Sequence, residues 1–128
     1  MAGDVERLDA AIGLVSEEAA AGRAVFRLEP TALAVVDGDP PFLHGGVLAT
    51  IVDTAAWAAV ASAHGDDWLV VDLRVDFLRL ARAQPHRLTA TVRRAGRRLA
   101  VADVEIASID EPERPVALGR VTLARTAG

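Results

Sequence analysis

Seventeen consecutive residues, Val47 to Ala63, hold a single charged side chain. The run reads VLATIVDTAAWAAVASA, its one acid is Asp53, and it follows directly on His44-Gly45-Gly46. A helix that is apolar nearly all round must be covered on most sides. A carboxylate on such a helix is expected in a water-poor place. Burying it costs on the order of several kcal/mol unless it is paired or protonated. The run is near the minimum length for crossing a bilayer. Its alanine content, its central acid and its lack of a basic flank point instead to the core helix of a globular fold.

The chain has 128 residues, 52% of them hydrophobic, and is read as one domain over 1–128. Cysteine, lysine, tyrosine and asparagine are absent. Thiol nucleophiles, disulfides, Schiff-base chemistry and tyrosine acid–base chemistry are therefore excluded. The net charge of −4 argues against a nucleic-acid partner. The N-terminal MAGDVERLDAAIGLV is acidic and amphipathic rather than signal-like, so a cytoplasmic location and no membrane partner are expected.

Apolar Val5, Leu8, Ile12 and Val15 predict a one-sided helix over Asp4 to Ala20, closed by Gly22. Ala24–Leu28 and Leu33–Val36 read as short strands, and Asp37-Gly38-Asp39-Pro40-Pro41 as a turn. The core helix ends at His64-Gly65. Alternation of Leu69, Val71, Leu73, Val75 and Phe77 then predicts a strand, broken at Gln84-Pro85-His86. Leu88–Arg94 and Leu99–Ser108 form a hairpin about Ala95-Gly96, and Val116–Arg125 is a last strand. Consecutive hairpins imply an α+β fold with a mostly antiparallel sheet curled around the core helix.

Gly45 and Gly46 open that helix, where backbone N–H groups lack internal partners and the dipole is positive. Such a site suits a carbonyl oxygen that gains negative charge during acyl transfer. His44 either donates to a ligand carbonyl or ties the turn to the helix. Asp53 shares a stripe with Gly46, Ala49, Thr50 and Trp57. Seven residues of rise place it about 10 Å from Gly46, too far to act on a carbonyl held at its own N-terminus. Two antiparallel copies of the helix remove the difficulty, so chemistry at Asp53 predicts a dimer with composite sites. Without chemistry, Asp53 is expected to be a buried acid bonded to Thr50 or Thr54. Arg93, Arg94, Arg97 and Arg98 surround one hairpin tip and suit phosphate contacts, or form a solvated turn. His44, His64 and His86 lack metal-ligand spacing, and no metal or cofactor is expected.

The run from His44-Gly45-Gly46 to Asp53 resembles the signature of hotdog-fold acyl-CoA thioesterases of the phenylacetate-pathway (PaaI-like) type. That signature is His-Gly-Gly with an acid nine residues after the histidine. Val71–Arg79 resembles the family's strand after the central helix, and Arg94-Ala95-Gly96-Arg97-Arg98-Leu99 its next hairpin. The likeness spans residues 42 to 125. It implies a hotdog fold, a homodimer with a continuous sheet, a homotetramer built from it, and hydrolysis of acyl-CoA. It also implies roles: amides of Gly45 and Gly46 on the thioester carbonyl, His44 shaping the pocket, and Asp53 of the partner chain as base or nucleophile. Trp57 and Val70 would lie along the substrate, and Arg94, Gly96, Arg97 and Arg98 near the CoA phosphates. Trp57, Trp68, Phe42 and Phe77 either line an acyl pocket or fill the core, and for Phe77 core packing is the safer reading. The family often carries an asparagine where this chain has Gly38, and a hydroxyl near Val70. Their absence motivates a second reading, a hotdog protein that binds acyl-CoA without turnover.

Overall fold

A computed structural model describes residues 8–126. Helical residues 8–12 (α1) lead into β1 (Leu14–Ala20) and β2 (Arg23–Leu28). A 3-10 turn at Ala32–Ala34 and the short strands β3 (Val35–Val36) and β4 (Phe42–Leu43) precede the long helix α2 (Gly45–His64). Four longer strands complete the fold: β5 (Trp68–Phe77), β6 (His86–Ala95), β7 (Leu99–Ser108) and β8 (Pro115–Arg125). Six strands form one antiparallel sheet in the order β1-β2-β6-β7-β8-β5, and β3 pairs with β4. The sheet lies against α2, as the antiparallel reading expected.

The N-terminal reading is corrected. Val5 lies outside the described residues, the described helix stops at Ile12, and Leu14–Ala20 is a strand. Gly13 explains the break. It has φ +92, and a Cβ there would sit 1.8 Å from the Glu29 carbonyl oxygen. No other residue fits that approach. Ala21 and Gly22 both have positive φ and turn the β1–β2 hairpin rather than close a helix. Leu33 also falls in the 3-10 turn, which shortens the second strand to two residues. His86 begins β6 instead of breaking the chain, and it is fully buried. Its Nδ1 lies 2.6 Å from Gln84 O, and burial holds its pKa below the usual histidine value.

α2 has the length and mean hydropathy (1.5) of a membrane-crossing helix. Here Leu48, Ile51, Val52, Ala55, Ala56, Ala59 and Val60 are buried within the core that includes Phe26, Leu28, Leu88, Ile106 and Leu123. The approach is closest at β8, where a Cβ on Gly119 would lie 2.6 Å from Val52 Cγ1. The alanines of α2 and this glycine bring the helix axis down onto the sheet, since small side chains set the spacing between packed elements.

The expectation that α2 is covered on most sides is also corrected. Gly46, Asp53 and Trp57 are exposed along one stripe, with Ala49 and Thr50 half-buried between them. The sheet covers one side of α2, and nothing in the described chain covers the other. Gly119→Ala is expected to destabilise the fold by about 1–3 kcal/mol, read by urea denaturation. Adding Val52→Ala is expected to recover part of that loss, and additive effects of the two changes would contradict the contact.

Candidate active site

His44 is the N-cap of α2, and its Nδ1 accepts the Gly46 N–H at 3.0 Å. The ring therefore ties the turn to the helix, one of the two roles read from the sequence. An accepting Nδ1 leaves the proton of a neutral ring on Nε2, free to donate outward. A Cβ on Gly46 would sit 3.2 Å from His44 Nδ1, a tight approach to the capping ring. Its amide is already engaged by His44. The Gly45 amide, one residue earlier, has no acceptor among the described residues and lies at the positive end of the dipole. The Phe77 ring stands beside it, 3.6 Å from where a Gly45 Cβ would be.

Phe77 does not fill the core. It is aligned with buried Ala117 and so turns to the helix side of the sheet, yet it is 57% exposed. Strand β5 is the last of the sheet, so its side chains have cover from one neighbour alone. The period-two reading of this strand breaks at a bulge between Val70 and Asp72. Val70 packs toward the core, while Val71 is left exposed.

Asp53 is exposed on the single chain, against the expectation of burial within it. Atoms packed around its carboxyl still withdraw enough water to raise its pKa above the usual aspartate value. Neither proposed threonine partner bonds to it. Thr50 Oγ1 donates back to Gly46 O at 2.9 Å, and Thr54 Oγ1 donates to Asp9 Oδ1 at 3.5 Å. One turn beyond Asp53, Trp57 Nε1 donates to Trp68 O at 3.0 Å, which fixes the indole against β5.

The arginine hairpin lies at the opposite end of α2. Gly96 N–H donates to Leu99 O at 2.8 Å to close the turn. Arg125 Nε donates to Arg97 O at 2.8 Å, and its guanidinium stacks 4.3 Å above the Trp68 ring. Arg94, Arg97 and Arg98 are exposed. Arg93 bonds Asp103 at 2.8 Å, as does Arg120 at 2.7 Å, so it is engaged apart from the other three. The chain thus places its candidate residues in three groups: His44, Gly45 and Phe77 at the start of α2, Asp53 and Trp57 at its middle, and the arginines near its end. Among the described residues no cluster of side chains has the makings of a metal site.

The family model of the thioesterase superfamily matches residues 41–114, which run from the turn before α2 to the loop before β8. The chain belongs to the thioesterase superfamily. It is 33% identical over 118 residues to the medium/long-chain acyl-CoA thioesterase YigI of Salmonella typhimurium, covering 79% of this chain and 75% of that one. The PaaI protein of the E. coli phenylacetic acid degradation operon superposes with a TM-score of 0.82 at 30% identity, over 95% of this chain and 86% of that chain. A variant of PaaI from Thermus thermophilus gives 0.80 at 28% identity, over 93% and 98%. The fold is the hotdog fold, as the resemblance implied.

Asp9 and Gly119 make contacts that the sequence reading did not assign, and Phe77 stands beside Gly45 rather than within the core. Asp9 lay inside a predicted solvated helix, and nothing in its spacing links it to residue 54. For the cap, His44→Ala is expected to lower stability by about 1 kcal/mol in urea denaturation. His44→Asn, which keeps a side-chain acceptor at the N-cap, is expected to stay close to the parent. Equal loss in both variants would assign the effect to something other than capping.

Proposed function

We propose that the chain hydrolyses acyl-CoA thioesters at a site shared by two copies, with Asp53 of one facing Gly45 of the other. The observation that carries this reading is the uncovered stripe of α2, on which an acid of raised pKa stands about 12 Å along the axis from the Gly45 amide it would need. Strand β5 supports it. Among the described strands β5 pairs with β8 alone, so its other edge offers free backbone groups to a further strand. Leu69 and Val71 leave apolar surface on the same strand, with exposures of 59% and 55%. Pairing β5 with its own counterpart about a two-fold axis continues the sheet and sets two α2 helices antiparallel. A homotetramer built from two such dimers is the larger assembly that goes with this reading.

In that arrangement the Gly45 N–H receives the thioester oxygen, and the dipole of α2 stabilises the charge that develops there. His44 Nε2–H borders the same pocket. Asp53 of the other chain takes a proton from water as the water oxygen bonds to the carbonyl carbon. The C–S bond then breaks, and the proton passes from Asp53 to the departing thiolate. Direct attack by Asp53 would give an acyl-enzyme anhydride instead. Single turnover in heavy-oxygen water reports an anhydride that water opens at the Asp53 carbonyl, because label then enters that carboxylate and the released acid carries none. Arg94, Arg97 and Arg98 beside Gly96 stand near the end of α2, whose His64 is about 16 Å along the axis from Asp53, and an extended pantetheine arm would deliver its phosphates there. Trp57 and Val70 border the space left for the acyl group. CoA thioesters are made in the cytoplasm, and a cytoplasmic setting goes with this reading.

A second reading has an observation of its own. No hydroxyl among the described residues bonds Asp53, and Val70 supplies none. An acyl-CoA-binding protein without turnover fits that lack of polar support. Wild type and Asp53→Asn, assayed over a panel of acyl-CoA esters, decide between the two. The hydrolase reading expects release of CoA by wild type and a fall in kcat of about 100-fold or more in Asp53→Asn. Thermal stabilisation by acyl-CoA with no CoA released would establish the binding protein instead.

A further inference from the structure

Arg125, the last residue of β8, joins the arginine hairpin to the end of α2 and the start of β5. Its Nε–H donates to Arg97 O at 2.8 Å. Its Nη1 donates to Asp67 Oδ1 at 2.8 Å and to His64 O at 3.5 Å. The planar group lies 4.3 Å from the centre of the Trp68 ring, on the residue aligned with it across β5 and β8. Its backbone N–H donates to Arg98 O at 2.8 Å. The His64 carbonyl, at the last turn of α2, has no acceptor role within the helix and sits at the negative end of the dipole, where a cation suits it. Arg125 and Asp67 are both largely shielded, with side-chain exposures of 28% and 31%. The guanidinium is therefore held in one place from several directions.

We propose that Arg125 is a positioning residue for CoA, a brace that fixes the arginine hairpin at the end of α2 before the phosphates arrive. The role rests on the reading of Arg94, Arg97 and Arg98 as the phosphate contacts. Arg125 touches no phosphate in it and acts through the backbone it holds.

The hairpin needs such a brace. β2 follows β6 in register only as far as Thr91, so Arg94 and Ala95 have β7 as their one neighbouring strand. Arg97 and Arg98 lie in the turn itself, which the Gly96 N–H closes on Leu99 O. The side chains of Arg94, Arg97 and Arg98 are exposed and form no ion pair among the described residues. They are free to take an anion, while the chain that carries them is tied down at Arg97 O. A binding surface fixed in advance loses less freedom when its ligand binds. The acyl side of the site does not depend on this brace. Trp57 is held by the Trp68 carbonyl, which belongs to the β5 backbone and is fixed by the pairing of β5 with β8.

The test compares wild type, Arg125→Met and Arg125→Lys. Met keeps an apolar stem against Trp68 and removes every donor. Lys keeps the charge and loses the planar fork that reaches Arg97 O and Asp67 together. Each protein is measured for CoA binding by calorimetry, for kcat and KM with an acyl-CoA, and for KM with the same acyl group on pantetheine, which lacks the ADP phosphates. In Arg125→Met the Kd for CoA and the KM for acyl-CoA are expected to rise about tenfold, with kcat and the pantetheine KM unchanged. Arg125→Lys is expected to resemble Arg125→Met. Full recovery in the lysine variant would assign the effect to charge alone and overturn the positioning role. CoA binding equal in all three proteins, or an equal rise in both KM values, would overturn it too. If Arg125→Met does not fold, the lysine variant carries the same contrast between acyl-CoA and acyl-pantetheine. If CoA binding weakens as expected but no protein, wild type included, releases CoA from a thioester, the positioning role stands and the hydrolase reading falls.

Discussion

Contact between α2 and the inner face of the sheet governs the rest of this structure. Gly119 leaves a space that Val52 fills, and the alanines of α2 let the helix settle along the strands. Close packing of that face fixes the rotation of the helix about its axis. Once Ile51, Val52, Ala55 and Ala59 point at the sheet, Gly46, Asp53 and Trp57 must point away. The exposed acid follows from the buried alanines.

That rotation leaves the chain with an exposure it does not relieve by itself. A carboxylate of raised pKa, an indole and the edge of a ten-residue strand lie on one side. Phe77, turned to the helix side, remains largely open beside Gly45. A second copy seated across this side would cover the apolar groups and remove water from Asp53. The water-poor setting expected from the sequence for one chain would then belong to the pair. The same step would bring the unengaged Gly45 amide to an acid that lies about 12 Å from it within one chain. On the proposed reading, packing, electrostatics and chemistry would all depend on that one interface.

Much of this was legible in the sequence because its signals are local. Period-two alternation and turn residues marked β5 to β8. The lone acid in an apolar run marked both α2 and the candidate site. His44 read correctly as a link between turn and helix, since its neighbours are the glycines it caps. The failures are non-local. Leu14–Ala20 has a helical spacing of apolar residues, but pairing with β2 and the contact of Gly13 with Glu29 make it a strand. Phe77 looks like core until its place on the last strand is known. The engagement of the Gly46 amide by His44, the bond from Thr54 to Asp9 and the space at Gly119 each depend on a contact that no periodicity reports.

Subunit complementation tests the shared site most directly. Asp53→Ala removes the acid. Gly45→Pro removes the amide at the first helical position, where proline is well tolerated and His44 already has the extended backbone that precedes it. Each variant alone is expected to be inactive. Co-refolded in equal amounts, half the dimers pair one variant with the other, and each of these holds one intact site. The account predicts recovery of about a quarter of wild-type activity, the statistical share for random pairing in a two-fold dimer. A mixture as inactive as its components, under conditions in which the two variants are shown to exchange partners, would contradict it.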